Sequence, residues 1–516
     1  MGRRITSASM SVMTKPRKAS MERTRLGVGL APAGALIAEQ HISVVPMYAV
    51  RMLQDRRAFL SSLGGAALVQ RPAPSNIVVL FTDDHRFDML SGLGHPDVKT
   101  PNLDRLMKRG VTFTHACTQG GPHGAICVPT RAQLMTGRSV FRANEFVMSR
   151  KGGPDPAVKT FPELLRAAGY ETHGIGKWHN QPALYQRSFS SGGPIFLGGM
   201  SDHDKVPVHA YDAEGRYGKE RVEIAKGFSS ELFASAAVDF INGRGREAKP
   251  YLLYTAFTSP HDPRMAPGRF AGMYDPARVE MPPNFMASHP FDNGEMKVRD
   301  EMLAAHPRTE AEVRKHIAAY YGMVSEVDHQ IGRIIDAVDR SPSGKNTYIV
   351  MAGDNGLAVG QHGLMGKQSL YDHSWRVPMI VSSPFAEGGR RCDSMCHIMD
   401  LCPTICRFAG IAPPEGIEAQ GLELALRDEK RAVRKSIVAP YKDCQRALRT
   451  DEWKLILYNV NGVKTAQLFN VKKDPWEMTN LAEKQPKLVA KMKSELQAQL
   501  TAMGDRTVLD AAKWVV

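Results

Sequence analysis

Four apolar runs in this chain each end in side chains of the types that transfer protons and bind ions. Asn76–Thr82 leads into Asp83-Asp84, and Glu171–Ile175 into Gly176-Lys177-Trp178-His179. Tyr251–Phe257 leads into Ser259-Pro260-His261, and Thr347–Gly353 into Asp354-Asn355-Gly356. In an open α/β sheet a ligand sits beyond the carboxyl ends of the strands, so four such ends in one chain would share one site. Any one of them alone reads equally as a turn or a helix cap, places that Asp and Asn favour. A fifth segment, Cys127-Val128-Pro129-Thr130-Arg131 followed by Leu134-Met135-Thr136-Gly137-Arg138, adds a thiol and two guanidinium groups.

That fifth segment resembles the C-x-P-x-R signature of type I sulfatases, members of the alkaline phosphatase superfamily. Gly169-Tyr170-Glu171-Thr172-His173-Gly174-Ile175-Gly176-Lys177-Trp178-His179 resembles the second signature of the same family. The order of the strand ends extends the resemblance over nearly all of residues 76–500. It implies that a formylglycine-generating enzyme oxidises Cys127 to formylglycine, one oxygen of whose hydrate attacks sulfur. It also implies that Asp83, Asp84, Asp354 and Asn355, with an oxygen of the modified Cys127, hold one calcium ion. Hard oxygen ligands, three of them anionic, suit that ion, and magnesium as well. Arg131, Lys177 and Lys367 would polarise the sulfate, and Arg131 would also fix the diol. Pro129 suits the first turn of a helix whose N-terminus faces an anion. His179 resembles the base that regenerates the aldehyde, and His261, with Lys367, the group that protonates the departing alcohol. Lys367 closes Gly360-Gln361-His362-Gly363-Leu364-Met365-Gly366-Lys367, in which His362 either touches substrate or shapes the loop. Arg86, Asp202, His203 and Arg264 are candidate leaving-group contacts. The chain departs from the family pattern at Val128, usually a small or hydroxylated residue, while Cys127, Pro129 and Arg131 are all in place.

The elements that must position these residues alternate between apolar runs and helical patterns, the mark of an α/β fold. The resemblance implies a large alkaline-phosphatase-like domain, a mixed, mostly parallel sheet flanked by helices. Thr100-Pro101 starts a helix that Gly110 ends. Thr160 and Glu163 form a capping-box pattern. Leu232, Phe233, Ala236, Ala237, Phe240 and Ile241 mark another helix, and Tyr320, Val324, Val327, Ile331, Ile334 and Val338 a long one. Residues 183–227 and 264–300 lack a clear period and read as long active-site loops. Near residue 430 the pattern changes to short strands, Ser436–Tyr441, Gln445–Thr450, Trp453–Tyr458 and Gln467–Asn470, before a helix at about 486–502. The expected organisation is a leader, 1–75; a catalytic domain, 76–430; and a small C-terminal α+β domain with a short antiparallel sheet, 431–516.

The chain has 516 residues, 43% of them apolar, and a formal charge of +14. Residues 1–75 carry eleven Lys/Arg against three Asp/Glu, which leaves +6 for the remainder. No dense basic array of the kind that coats DNA remains, so nucleic acid is not an expected partner. Arg56-Arg57 ahead of a short Gly/Ala-rich apolar run resembles a twin-arginine signal, implying export to the periplasm or beyond. Met47 or Met52 as initiator and an organellar transit peptide are the other readings of this leader. No segment is long enough to span a bilayer. Cys392, Cys396, Cys402 and Cys406 lack metal-site spacing and read as buried small residues or an adventitious disulfide. The expected activity is hydrolysis of sulfate monoesters on a sulfated saccharide. A phosphonate monoester or phosphodiester hydrolase of the same superfamily is the alternative, and an inactive sulfated-glycan-binding protein a distant one.

Overall fold

The computed structural model describes residues 74–148, 153–245 and 248–507. Apart from its last two residues, the expected leader, with Arg56 and Arg57, lies outside these. The first strand, β1 (Asn76–Thr82), shows why the sheet forms where it does: the whole strand is buried. Ile77, Val79 and Phe81 enter the apolar cluster on one face, Val78 and Leu80 that on the other. This is the two-residue period of a strand covered on both sides. Each such side chain contributes about 1.5–3 kcal/mol through burial, so the strand has no exposed alternative.

Seven further strands complete the sheet: β2 (Gly110–Cys117), β3 (Glu171–Lys177), β4 (Ser191–Phe196), β7 (Tyr251–Ala256), β8 (Thr347–Gly353), β9 (Met379–Ser382) and β10 (Arg390–His397). Their spatial order is β10-β2-β9-β8-β1-β7-β3-β4. β9 runs antiparallel to both its neighbours, and every other pairing is parallel. Helices Cys127–Thr136, Phe161–Ala167 and Leu401–Phe408 cover one face; Pro101–Arg109, Ser229–Asn242 and Glu310–Arg340 cover the other. Thr160 and Glu163 form the expected capping box. Four antiparallel strands follow, β11 (Ser436–Tyr441), β12 (Gln445–Thr450), β13 (Trp453–Val460) and β14 (Val463–Asn470). Helix Pro486–Met503 lays Met492, Leu496 and Leu500 against them.

Residues 183–227 are more ordered than their composition suggests. They hold most of helix Pro182–Ser188, β4, and the two-residue pair β5 (Pro207–Val208) and β6 (Glu223–Ile224). β4 reads Ser-Gly-Gly-Pro-Ile-Phe and lies at the edge of the sheet, paired with β3 along one side and meeting His209 through Ile195 on the other, and an edge strand tolerates Gly and Pro that a central strand rejects. Cys392, Cys396, Cys402 and Cys406 are buried and free. Among the described residues no helix is long and apolar enough to cross a membrane.

Candidate active site

The strand register sets the site. Thr82 of β1 lies beside Gly353 of β8, so Asp83 and Asp354 leave adjacent strands together. The turn is pinned by three backbone donors: Asp354 to the Thr82 carbonyl (3.0 Å), Asp83 to the Ser259 carbonyl (3.1 Å) and Asp84 to Asp354 Oδ1 (3.0 Å). From the long helix the Tyr320 hydroxyl donates to the Asp84 carbonyl at 2.7 Å. At the end of β3, Gly176 has φ +86° and lies so near the Ala256 carbonyl that a Cβ would meet it at 2.0 Å. Only glycine lets Lys177 and His179 leave the strand here. Cys127 is the first residue of its helix and is buried.

Ligand atoms of Asp83, Asp84, Cys127 and Asp354 all lie within 4.8 Å of one another. The Cys127 thiol faces Asp83 Oδ1 at 3.5 Å, and accepts from Lys367 Nζ at 3.2 Å and from Asn355 Nδ2 at 3.3 Å. Arg131 donates to Asp354 Oδ2 at 3.1 and 2.9 Å and to the Lys177 carbonyl at 2.7 Å. Lys177 Nζ pairs with Asp83 and donates to the Gly199 carbonyl, and Lys367 Nζ meets both Asp84 oxygens at 2.7 and 2.8 Å. Burial pushes Asp83 up, but Lys177, Arg131 and Lys367 outweigh it and hold that carboxyl below its ordinary value. Asp84 goes the other way: burial pushes it well up, Lys367 opposes, and Asp83 and Asp354 reinforce the rise.

These residues fit a hard divalent cation. The donors are oxygens, Asn355 Oδ1 is buried without a partner, and Asp84 carries like-charge strain that a cation would relieve. Three carboxylates face three protein cations, so a divalent ion would give the pocket a net positive charge toward an anionic ester.

The two candidate imidazoles lie at this cluster. His261 Nε2 is 3.5 Å from Asp84 Oδ2, and its Nδ1 donates to the Asp262 carbonyl at 2.7 Å. His179 has a left-handed backbone (φ 51°) and a buried, unpartnered Nδ1, and its ring packs against Gly199. Burial, then the charges of Lys177, Arg131 and Lys367, bring His179 down to about 2. Burial, Lys367 and Lys177 hold His261 well below its usual value.

The candidate leaving-group residues are placed differently. Arg86 turns to Asp88 (2.6 Å) and the Ala358 carbonyl (3.3 Å), lining a separate cavity of about 500 Å³ with His95 and Trp476. His203 is buried behind His261, donating to its carbonyl at 2.8 Å. His362 stacks on Tyr371 (3.9 Å between centroids) and donates to the Glu477 carbonyl at 3.0 Å. The structure therefore brings none of these three to the pocket; each is spent on protein partners. Asp202 is exposed, with its carbonyl closing a turn onto Lys205, and Arg264 reaches His316 (2.7 Å) and the Met365 carbonyl (3.4 Å). Asp262, Arg299, Asp300 and Gln368, which the sequence reading did not single out, stand instead around His261 and Lys367. Their adjacency to named residues, Asp262 after His261 and Gln368 after Lys367, was the available signal.

The model of the sulfatase family matches residues 75–411, and that of the N-sulphoglucosamine sulphohydrolase C-terminal region matches residues 360–505. An N-acetylglucosamine-6-O-sulfatase of Bacteroides thetaiotaomicron is 25% identical over 87% of this chain and 90% of its own. An ulvan-active sulfatase of Formosa agariphila is 26% identical over 84% of this chain and 82% of its own. The solved structure of BT4656 in complex with its substrate D-glucosamine-2-N,6-O-disulfate superposes with a TM-score of 0.69 at 23% identity, covering 85% of this chain and 98% of that one. The chain belongs to the sulfatase family of alkaline-phosphatase-like fold and is a sulfuric ester hydrolase.

Proposed function

We propose that the protein releases sulfate from a sulfated saccharide, with formylglycine made from Cys127 as nucleophile and one calcium or magnesium ion beside it. The observation that carries this reading is the Cys127 side chain seated among Asp83, Asp84, Asp354, Asn355 and Lys367. The names of the relatives support a saccharide substrate. As encoded, residue 127 is a poor nucleophile: burial, then Asp354, pushes its thiol well above the ordinary value. Conversion to formylglycine supplies, as the hydrate, an oxygen nucleophile in its place.

Asp83, Asp84, Asp354 and Asn355 would hold the ion, which when bound polarises the sulfate oxygens and lowers the charge at the reacting centre. Arg131 keeps the Asp354 carboxylate aimed, through its two-point contact. Lys177 and Lys367 present fixed positive charge to the ester at no cost in reorganisation. His179 offers an unpartnered ring nitrogen, Nδ1, at which it would take a proton, against the opposition of burial and of Lys177, Arg131 and Lys367. With Nδ1 donating to the Asp262 carbonyl, Nε2 of His261 is the ring atom that faces the site, and it gives the leaving oxygen a proton only when the ring is doubly protonated; the Lys367 ammonium alongside carries a proton for that oxygen as well. The twin-arginine leader around Arg56 and Arg57 fits export of an enzyme that meets sulfated polysaccharide outside the cytoplasm.

Sulfated mono- and oligosaccharides are screened for sulfate release, using protein co-produced with a formylglycine-generating enzyme and mass spectrometry of the peptide spanning residue 127. The expected result is release by modified protein and none by Cys127→Ala. Full activity in Cys127→Ala, or faster cleavage of phosphodiesters than of any sulfate ester, overturns the reading.

A further inference from the structure

Three consecutive residues of the long segment before the helix Glu310–Arg340 grip both elements that carry the leaving-group donors. Arg299 bridges two carboxylates, donating to Asp262 at 2.7 and 3.0 Å and to Asp300 at 3.0 and 2.5 Å. Asp262 is the residue whose carbonyl holds His261 Nδ1. Asp300 accepts from Gln368 Nε2 at 2.7 Å, and Gln368 Oε1 in turn accepts from the Lys367 backbone at 3.0 Å. Glu301 is buried and accepts from the backbone of Met365 (2.9 and 3.1 Å) and Gly366 (2.8 Å), while Arg308 balances its charge at 2.6 Å. Gly366 lies so close that a Cβ there would come within 2.8 Å of the Asp300 Cβ.

Burying this much charge is costly unless each group is paired, and here each is. The ring runs without a gap from His261 through Asp262, Arg299, Asp300 and Gln368 to Lys367. Within it, Arg299 joins the His261 side to the Lys367 side. Its side chain is 45% exposed, against 5% for Asp262 and 7% for Asp300, so it closes the ring from the solvent side.

We propose that Arg299-Asp300-Glu301 is a positioning clamp that fixes the spacing of His261 and Lys367, with Arg299 joining its two halves. This rests on the reading of His261 and Lys367 as leaving-group donors. The clamp does not touch the reacting atoms. It acts by holding two proton-donating groups where one oxygen can meet both, a placement whose loss costs a reaction in proportion to how much it needs the proton.

The test compares phenyl sulfate with 4-nitrophenyl sulfate, whose leaving oxygens differ in basicity and so in their need for a proton. Native protein, Arg299→Met, Arg299→Lys and His261→Ala are assayed at equal formylglycine content. The ratio of kcat on the nitrophenyl ester to kcat on the phenyl ester should rise about tenfold in Arg299→Met and further in His261→Ala. Arg299→Lys keeps the charge but lacks the planar fork, so its ratio should rise as well, which covers the case in which the Met variant fails to fold. A steep ratio in His261→Ala with native ratios in both Arg299 variants overturns the clamp. A native ratio in His261→Ala overturns the donor assignment itself, and with it the basis for the clamp.

Discussion

At Cys127, Asp84 and Asn355 the pocket is charge-balanced but not satisfied. Asp84 is pushed up by burial and by its anionic neighbours, and Asn355 Oδ1 has no partner. A divalent ion answers both at once. Stripping the metal with a chelator should abolish sulfate release, and returning calcium or magnesium should restore it. Because the ion binds the folded chain, saturating metal should also raise the thermal midpoint, by the equivalent of about 2.7 kcal/mol at a hundredfold excess over Kd. Asn355→Ala should shrink that rise. A midpoint indifferent to both metals, measured by calorimetry, would remove the four-residue assignment. At this scale the sequence displayed nearly all of the cluster, because Asp83 and Asp84 follow β1 and Asp354 and Asn355 follow β8. It gave no sign that Arg86, His203 and His362 turn away, since their partners, Asp88, His261 and Glu477, depend on how separate segments pack.

Among the elements, the helix Glu310–Arg340 shows a cost hidden under its apolar pattern. It carries Glu326, fully buried, with Gln330 donating to one oxygen at 3.0 Å and the other oxygen unpartnered. Burial brings this carboxyl up to about 7 from 4.5, with Gln330 and Ser230 opposing only in part. The folded value exceeds the unfolded one, so the folded state binds the proton more tightly. Stability therefore falls as pH rises from about 4.5 to about 7, and the full penalty stands above that. Glu326→Gln should accordingly gain roughly 1–3 kcal/mol over the native protein above neutral pH, and nothing below the unfolded value. Urea unfolding at the two extremes checks this; a gain of equal size at both would contradict it. The helix itself was legible from its period, as were β1, β8 and the four C-terminal strands. β4 was not, because an edge strand can be built from Ser, Gly and Pro, and its pairing with β3 makes it a strand.

In the whole molecule the four-stranded sheet reaches back toward the site through a buried charge cluster. Asp372, five residues after Lys367, meets Arg376 at 3.0 Å and Lys454 at 2.9 Å, together with Arg449. Lys454 also meets Glu477 at 2.6 Å, and Glu477 accepts from the Asp372 backbone at 2.7 Å. Burial opposes ionisation of Asp372, but Arg449, Lys454 and Arg376 outweigh it and hold the carboxyl well below its ordinary value. Asp372→Ala leaves three buried cations facing Glu477 alone, and should destabilise the fold by about 3–5 kcal/mol. A loss below about 1 kcal/mol in denaturant unfolding would show that the cluster holds nothing together. By itself the sequence determined β1, β3, β7, β8 and the C-terminal strands, the residues that end the first four and the family to which they point, because apolar period and strand-end chemistry are local properties. Only the tertiary structure decided which charges share a pocket, which imidazoles face it, and that Arg299 closes a ring between His261 and Lys367. Those contacts join residues tens to hundreds of positions apart, and no local pattern encodes the distance between them.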